Sequence, residues 1–334
     1  MPLSEQDLQS HVEAIDQLRK TLNGVLFGQE NLIELTITGL LARGHILLEG
    51  LPGLGKTELV TSLSKALQIE TKRIQFTPDL LPGDITGNPV LQETEKGREF
   101  VFQPGPLFAN LVLADEINRA SPKTQSALLE AMQERRVTVL GEAHPLPNPF
   151  FVLATQNPIE LEGTYPLPEA QLDRFLFKLE VPRNNAQTLE RIVNHRELGI
   201  EPKVEAVMDA KTLSDIMKSV REIYLPGVVA NYIARLVDGT HTDQSEVAQR
   251  IRFGASPRAA LSMASAAKAR ALMAGRINAS FEDVDAIAIP VLQHRIILEY
   301  QARIDGTTNT LIIEELIEEI PHQDIDTPIS LKEK

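Results

Sequence analysis

The chain has 334 residues, which exceeds the size of one ordinary domain and predicts two. It contains no cysteine, and this excludes a disulfide framework, thiolate metal sites and a cysteine nucleophile. The net charge of −13 disfavours nonspecific binding to DNA or RNA, because such binding usually depends on a basic surface.

The N-terminal segment has early acidic residues and no apolar core run, so it does not resemble a signal peptide. No run of about 18 apolar residues occurs in the sequence, which predicts a cytoplasmic protein without a transmembrane helix. Apolar residues at helical spacing then predict a helix over residues 4–22, with Ser4 as its cap, and a second helix over residues 29–42.

The next part of the chain alternates apolar runs with helical patterns. Strands are predicted at residues 45–50, 72–76, 110–116, 150–157 and 175–181. Helices are predicted at residues 56–67 and 121–135, the second with a serine cap and a proline in its first turn. Strands that alternate with helices predict a parallel sheet of the α/β class.

Helical patterns dominate from about residue 184. Amphipathic helices are predicted at residues 186–198, 210–223, 226–239 and 256–275, with more after residue 280. This change predicts an α/β domain over residues 1–183 and an all-α domain over residues 184–320. Residues 321–334 are predicted to form a loose tail.

The sequence GLPGLGKT, residues 50–57, fits the phosphate-binding pattern G-x-x-x-x-G-K-[ST] between a predicted strand and a predicted helix. Glycines let backbone N–H groups turn toward phosphate oxygens, and the helix N-terminus adds positive potential. Lys56 can reach the β- and γ-phosphates, and Thr57 can bind Mg²⁺. The predicted ATP-binding residues are Gly50, Leu51, Pro52, Gly53, Leu54, Gly55, Lys56 and Thr57. The alternative, a chance glycine-rich turn, is disfavoured by the flanking elements.

Two acidic residues end the apolar run LVLADE. Asp115 lies at the carboxyl end of the predicted strand, where ligands bind in open α/β sheets, and is predicted to hold Mg²⁺ through water. Glu116 is placed to polarise an attacking water as a general base. Taken alone the pair is equally compatible with a solvated loop, but next to a phosphate-binding loop it favours hydrolysis.

Three further residues stay ambiguous on local grounds. Asn157 ends a strand and can orient a water, although asparagine before proline is common in turns. Arg258 lies in the first turn of a predicted helix, against the helix dipole, and is either an anion ligand or a surface residue. Arg174, beside Asp173, is either half of a surface ion pair or a cation for the γ-phosphate.

Several long strings together resemble the MoxR family of AAA+ ATPases, over about residues 5–310. They are residues 50–57, 114–134, 154–158 and 162–175. Residues 77–87 and 98–110 resemble the helix-2 insertion of that group, which places the insertion at about residues 77–108. The resemblance implies a P-loop AAA+ core domain, a helical lid and assembly into a ring, usually a hexamer.

The resemblance also implies roles for single residues. Asn157 matches the first sensor, Arg258 the second sensor on the lid, and Arg174 the arginine finger that acts on the neighbouring subunit. Gln29 lies where related proteins line the adenine pocket, and Arg119 lies near the subunit interface. Members often act with a von Willebrand factor A-domain protein on a protein client. This chain has no D-x-S-x-S motif, so such a domain would be on another chain.

These features predict an ATPase that remodels or matures a protein client. ATP is expected to bind between the α/β domain and the lid of one subunit, with Arg174 of a neighbour completing the site. A nucleic-acid-dependent motor is one alternative, because replicative helicases share the insertion, but the acidic composition weighs against it. A nucleotide-gated scaffold without hydrolysis is another, and the complete set of catalytic motifs weighs against that.

Overall fold

The fold is described from a computed structural model, for residues 4–51, 53–94, 97–158, 163–197, 199–241 and 246–323. The first elements in chain order are α1 (Glu5–Asn23), α2 (Glu30–Leu41), β1 (Ile46–Glu49), α3 (Lys56–Leu67), β2 (Thr71–Gln75), α4 (Pro82–Thr86), β3 (Gly87–Thr94), β4 (Gly97–Pro104) and β5 (Leu111–Asp115). A 3-10 turn (Ile117–Arg119) precedes α5 (Pro122–Glu134), β6 (Arg136–Val139), β7 (Glu142–Pro145), β8 (Phe151–Gln156), α6 (Glu169–Leu172) and β9 (Phe177–Glu180).

The rest of the chain is mostly helical. Its elements are α7 (Ala186–His195), α8 (Ala210–Glu222), α9 (Gly227–Asp238), α10 (Glu246–Gln249), β10 (Ile251–Phe253), α11 (Pro257–Met273), α12 (Phe281–Leu292), β11 (Ile297–Leu298), α13 (Tyr300–Ile304) and α14 (Asn309–Glu319). We call residues 246–319 the lid. No helix in the described part of the chain has both the length and the hydropathy to cross a lipid bilayer.

Five strands form a parallel sheet in the order β2-β5-β8-β1-β9. The strands were predicted from apolar runs, and their parallel pairing confirms the predicted α/β class. Because all five strands run the same way, their carboxyl ends lie along one edge of the sheet and their amino ends along the opposite edge.

Alternate residues of the central strands bury opposite faces of the sheet. Leu48 and Leu153 belong to a hydrophobic cluster that contains residues of α1, α2 and α3, whereas Leu47 and Val152 belong to a cluster with residues of α5. The first cluster continues without interruption into α11 and α12. The lid therefore shares its core with the helical layer on one face of the sheet.

Two antiparallel hairpins extend from the other layer. β3 and β4 pair along their full length, from Gly87 with Pro104 to Thr94 with Gly97, within the region predicted as the helix-2 insertion. β6 and β7 form the second hairpin. Phe102 of β4 stacks on His144 of β7, with ring centroids 3.9 Å apart. The two hairpins therefore touch each other.

The structure differs from the sequence prediction at two places after residue 184. The helix predicted over residues 186–198 ends at His195, because Arg196 adopts an extended conformation and its guanidinium pairs with Glu58 and donates to the carbonyl of Val25. The lid also contains the short antiparallel pair β10–β11, within an otherwise helical region. Strands of two or three residues are too short to show an alternating pattern.

Candidate active site

The loop between β1 and α3 has an open, glycine-dependent backbone. Gly53 and Gly55 have φ angles of +82° and +85°, a left-handed region that favours glycine. Apart from Gly53 itself and its chain neighbours, no described atom lies within 4 Å of the position that a Cβ on Gly53 would occupy. Gly55 precedes α3 and has no side chain to cap it, so the first N–H groups of the helix can face an anion. Pro52 lies outside the described residues.

Lys56, the first residue of α3, folds back over this loop. Its Nζ donates a hydrogen bond to the carbonyl of Gly50 at 2.7 Å. Burial lowers the pKa of the Lys56 ammonium, while the carboxylates of Asp115 and Glu116 act in the opposite direction. The ammonium therefore lies in the electric field of both predicted acidic residues.

Asp115 ends β5 with both carboxylate oxygens engaged. Oδ1 accepts a hydrogen bond from Thr155 Oγ1 at 2.5 Å, and Oδ2 pairs with Arg73 Nη2 at 2.7 Å. Thr155 Oγ1 in turn accepts from the backbone N–H of Glu116 at 2.9 Å. Thr155 thus fixes the two acids relative to each other, a role that the sequence did not indicate.

Glu116 has a left-handed backbone, with φ 57° and ψ 50°. Its Oε2 accepts hydrogen bonds from Gln75 Nε2 at 2.9 Å and from Arg119 Nη1 at 3.0 Å. A left-handed residue other than glycine costs free energy and is found most often where a structure must aim a functional group. Here the conformation holds the carboxylate beside the neighbouring strand β2.

A cleft of about 360 Å³, which we call the phosphate cleft, opens at the carboxyl edge of the sheet. It is lined by seven of the predicted site residues, which are Gly53, Gly55, Lys56, Thr57, Asp115, Glu116 and Asn157. They come from the loop and helix that follow β1 and from the ends of β5 and β8, and these three strands are neighbours in the sheet order. Asn157 is buried, and its carbonyl lies 3.4 Å from Asn118 Nδ2.

The donors in the phosphate cleft fit a hard cation. Among the described residues there is no group of three or more histidine, aspartate or glutamate side chains that could hold a metal ion. Mg²⁺ at nucleotide sites usually takes only one or two protein ligands, together with phosphate oxygens and water. Thr57 and Asp115 both line the cleft and offer oxygen ligands of the required kind.

Gln29 lies outside the phosphate cleft. It is 4% exposed, at a second cavity of about 570 Å³ between β9 and α12. Its Oε1 has no hydrogen-bond partner among the described residues. The loop before it reaches the phosphate-binding loop, since Leu26 Cδ2 lies 3.4 Å from where a Cβ on Gly55 would stand. Gln29 therefore lies near the phosphate-binding loop, and its amide oxygen is available to accept a hydrogen bond from a ligand.

Arg174 and Arg258 lie together at the opposite edge of the sheet. The backbone N–H of Leu176, just before β9, donates to the carbonyl of His45, just before β1, at 2.8 Å. The phosphate-binding loop follows the other end of β1, and four residues of strand separate the two edges by roughly 13 Å. Arg174 therefore lies at the amino edge of the sheet, opposite the carboxyl edge where the phosphate cleft of its own chain opens.

The two arginines line a cationic cavity of about 270 Å³, which we call the arginine cavity. Its five cationic lining residues are Arg43, Arg135, Arg174, Arg258 and Arg295. Asp173 also lines it, and its carboxylate accepts from Arg258 Nη1 at 2.9 Å and from Arg295 Nε at 2.8 Å. Asp173 therefore does not form the surface ion pair with Arg174 that the sequence alone allowed. Within the described part of the chain, the Arg174 side chain makes no hydrogen bond or ion pair.

Arg258 does not line the phosphate cleft of its own chain, and its role as the second sensor stays a prediction. The Arg258 guanidinium is held by Asp173 at the amino edge of the sheet, in the same cavity as Arg174. The sequence indicated an anion-binding role for Arg258 but could not show which edge of the sheet the lid covers.

Comparisons with known proteins agree with this architecture. Residues 45–177 match the family described as ATPases associated with various cellular activities (AAA), and residues 243–316 match an AAA lid domain. The uncharacterized protein YeaC of Bacillus subtilis is 43% identical over 298 residues, which cover 89% of this chain and 91% of YeaC. The chaperone MoxR1 of Mycobacterium tuberculosis is 38% identical over 323 residues, covering 96% and 85%.

A solved structure is similar over nearly the whole fold. This crystal structure from Cytophaga hutchinsonii, described as that of a candidate ATPase, superimposes with a TM-score of 0.87 and 38% identity. The match covers 95% of this chain and 97% of the other. The similarity therefore extends through the sheet and the lid.

Proposed function

The chain belongs to the MoxR family of AAA+ ATPases, and from that premise we propose that it couples ATP hydrolysis to remodelling of a protein client, in a ring whose active sites are shared between neighbours. The observation that carries this proposal is the separation of the phosphate cleft from the arginine cavity. One chain has the groups that bind phosphate and activate water at one edge of its sheet, and its arginines at the other edge. Two chains side by side can bring the two halves together.

Within the phosphate cleft, each side chain has a defined task. Lys56 places its positive charge against the β- and γ-phosphates. Glu116 takes a proton from the water whose oxygen attacks the γ-phosphorus, while the bond to the bridging oxygen of ADP breaks. Asn157 orients that water. Thr57 and Asp115 would hold Mg²⁺, which when bound neutralises phosphate charge.

The neighbouring chain supplies Arg174 and Arg258 to the same nucleotide. A guanidinium stays charged at any physiological pH and can form two parallel hydrogen bonds to phosphate oxygens. An arginine supplied in trans typically contributes about 10³–10⁵ in rate. Arg258 would exchange its bond to Asp173 for a bond to phosphate when the neighbour docks.

A mixing experiment tests the shared site. Arg174→Ala chains keep the phosphate cleft, and Lys56→Ala chains keep the arginine cavity, so each should be inactive alone. In a randomly mixed head-to-tail ring, about a quarter of the sites would combine both intact halves. We expect phosphate release to return to about that fraction of the parental rate. If mixed rings form but phosphate release stays at the level of each variant alone, the proposal of a shared site is wrong.

The partners are proposed on the resemblance and on relatives. The relative from Mycobacterium tuberculosis is named a chaperone, which supports a chaperone-like role. Family membership supports a hexameric ring in the cytoplasm, with Mg²⁺ as the metal and a von Willebrand factor A-domain protein as a separate partner. The net charge of −13 continues to weigh against a nucleic-acid motor.

A further inference from the structure

Arg295 is a lid residue whose guanidinium is almost wholly inside the protein. Its side chain is 1% exposed, just after α12. Two of its hydrogen bonds stay within the lid, to the carbonyl of Val291 at 2.5 Å and to Ser262 Oγ at 3.2 Å. The remaining bonds leave the lid and reach a short segment before β9.

That segment is the one that carries Arg174. Arg295 Nη2 donates to the carbonyl of Phe175 at 2.6 Å, and Nη1 donates to the carbonyl of Leu176 at 3.2 Å. Nε and Nη2 reach the Asp173 carboxylate and carbonyl at 2.8 and 3.3 Å. Arg295 therefore binds the residues on both sides of Arg174 and leaves the Arg174 side chain itself unengaged.

The adjacent lid residue holds the same segment. The ring of His294 is buried, and its Nε2 lies 3.1 Å from the carbonyl of Phe175, to which it can only donate. The phenyl ring of Phe175 is buried in the hydrophobic cluster on the far face of the sheet. The backbone that carries Arg174 is thus fixed by the lid on one side and by the core on the other.

Arg295 also determines where Arg258 lies. The Asp173 carboxylate that Arg295 binds accepts hydrogen bonds from Arg258 Nη1 at 2.9 Å and from Ser256 Oγ at 3.0 Å. A buried guanidinium and a single carboxylate therefore set the spacing between the two cations of the arginine cavity. Burial lowers the pKa of Arg295, and the Asp173 carboxylate opposes this, so the buried charge depends on its partner.

We propose that Arg295 is a positioning residue for the shared site: it binds the lid to the backbone on either side of Arg174, so that Arg174 and Arg258 meet the neighbour's ATP as one rigid unit. The proposal rests on the shared site argued above. Lysine cannot replace it, because an ammonium lacks the planar fork that donates to the Asp173 carboxylate and to two carbonyl groups at once.

The alternative is that Arg295 only stabilises its own chain. The mixing experiment distinguishes a positioning role from a purely stabilising one. In the mixed rings, every active site that works takes Arg174 from a Lys56→Ala chain and the phosphate cleft from an Arg174→Ala chain. Arg295→Lys added to the Lys56→Ala chain should lower the restored activity about 10- to 100-fold, a range typical of small misplacements of catalytic groups. The same change added to the Arg174→Ala chain should leave the restored activity within about twofold, because that chain no longer contributes Arg174.

Arg276→Lys is the matched control. Arg276 is another lid arginine paired with a buried carboxylate, Asp283, at 2.6 Å, and neither residue lines the arginine cavity. Arg276→Lys should leave the restored activity unchanged, whether it is added to the Lys56→Ala chain or to the Arg174→Ala chain. Asp173→Asn is a second test variant of nearly the same shape as the parent, for use if Arg295→Lys fails to fold, and it should show the same asymmetry.

The outcomes separate this inference from the proposed function. If Lys56→Ala and Arg174→Ala chains restore no activity when mixed, the shared site itself fails. If they do restore activity and the two placements of Arg295→Lys lower it equally, or neither lowers it, the positioning role is wrong while the shared site stands.

Discussion

Glu116 shows how the strand order brings residues of neighbouring strands into contact with one acidic residue. Its backbone is left-handed, and its N–H is bound by Thr155 on the adjacent strand β8. Its carboxylate is bound by Gln75 on the other neighbouring strand, β2, and by Arg119 one turn ahead. Three contacts from three segments thus fix the carboxylate that we propose as the general base.

Replacing Glu116 with glutamine tests this role directly. The amide has the same shape but cannot take a proton from water, so we expect phosphate release to fall about 10²–10⁴-fold. ATP binding should persist, because Lys56 and the glycine loop are unchanged. The measurements are phosphate release at saturating ATP and equilibrium binding of a fluorescent ATP analogue.

The control is Glu142→Gln, which makes the same chemical change on an exposed position of β7. It should leave both measurements at the parental level. Phosphate release at the parental rate by Glu116→Gln would show that another group activates the water.

The sequence could predict much of the phosphate cleft because its residues follow apolar strands in the chain or end them. Lys56, Asp115 and Asn157 each follow an apolar run, and parallel strands bring such positions to one edge. The parts that it could not predict, Thr155 and Arg73, depend on which strands are neighbours in the sheet. That order is set by long-range packing, which residue spacing along a single chain does not encode.

At the scale of elements, the β3–β4 hairpin is closed by two glycines in tight backbone contact. A Cβ on Gly105 would lie 2.4 Å from the backbone nitrogen of Gly87 and 2.4 Å from the carbonyl oxygen of Ile85. Gly87 itself has a φ of +97°. These are main-chain atoms of the hairpin's base, which cannot move aside without breaking its hydrogen bonds.

Gly105→Ala should therefore destabilise the hairpin base. Overpacking of this kind typically costs about 1–3 kcal/mol in the free energy of unfolding, which urea titration measures. Gly227→Ala is the control, because a Cβ there meets no described atom within 4 Å and the residue begins α9. It should be neutral or slightly stabilising, since alanine favours helix. Equal stability of the Gly105→Ala and Gly227→Ala chains would contradict the close contact.

The long elements follow from the sequence, whereas the short ones do not. The strands β1, β5 and β8 match predicted apolar runs, and α5 has the predicted serine cap at Ser121, which accepts from the N–H of Thr124. β10 and β11 pair with partners more than forty residues away and contain too few residues to carry a period. Their existence depends on lid packing rather than on local propensity.

On the scale of the whole molecule, the seam between the lid and the sheet joins a buried arginine of the lid, Arg295, to a carboxylate just before β9, Asp173. Asp173 and Arg295 pair across 122 positions of sequence, and Asp173 and Arg258 across 85. Sequence patterns singled out the segments of Asp173 and Arg258, but gave no sign that both meet Arg295. The seam holds this part of the lid at the amino edge of the sheet, away from the phosphate cleft.

Two buried histidines, His45 just before β1 and His294 in the lid, are expected to make the stability of the fold depend on pH. His45 Nδ1 accepts from the N–H of Val152 at 3.0 Å, so its Nε2–H donates to the carbonyl of Met132 at 3.1 Å and the ring is neutral. Burial lowers the pKa of His45 from 6.5 to about 4. Burial also lowers the pKa of His294 well below its usual range.

The direction of the pH dependence follows from these shifts. The unfolded chain takes up protons on these histidines near pH 6.5, whereas folded His45 stays neutral until about pH 4. Between those values the unfolded state binds more protons, so the free energy of unfolding should decrease as the pH falls. The slope is at most about 1.4 kcal/mol per pH unit for each histidine.

Urea unfolding at a series of pH values from 7 to 5 measures this slope. His45→Gln retains one donor and one acceptor but has no titrating group, so its slope should be shallower than that of the parent, whatever its absolute stability. His195→Gln, on an exposed position of α7, should keep the parental slope. An unchanged slope in His45→Gln would mean that the buried ring opens to solvent before the chain unfolds.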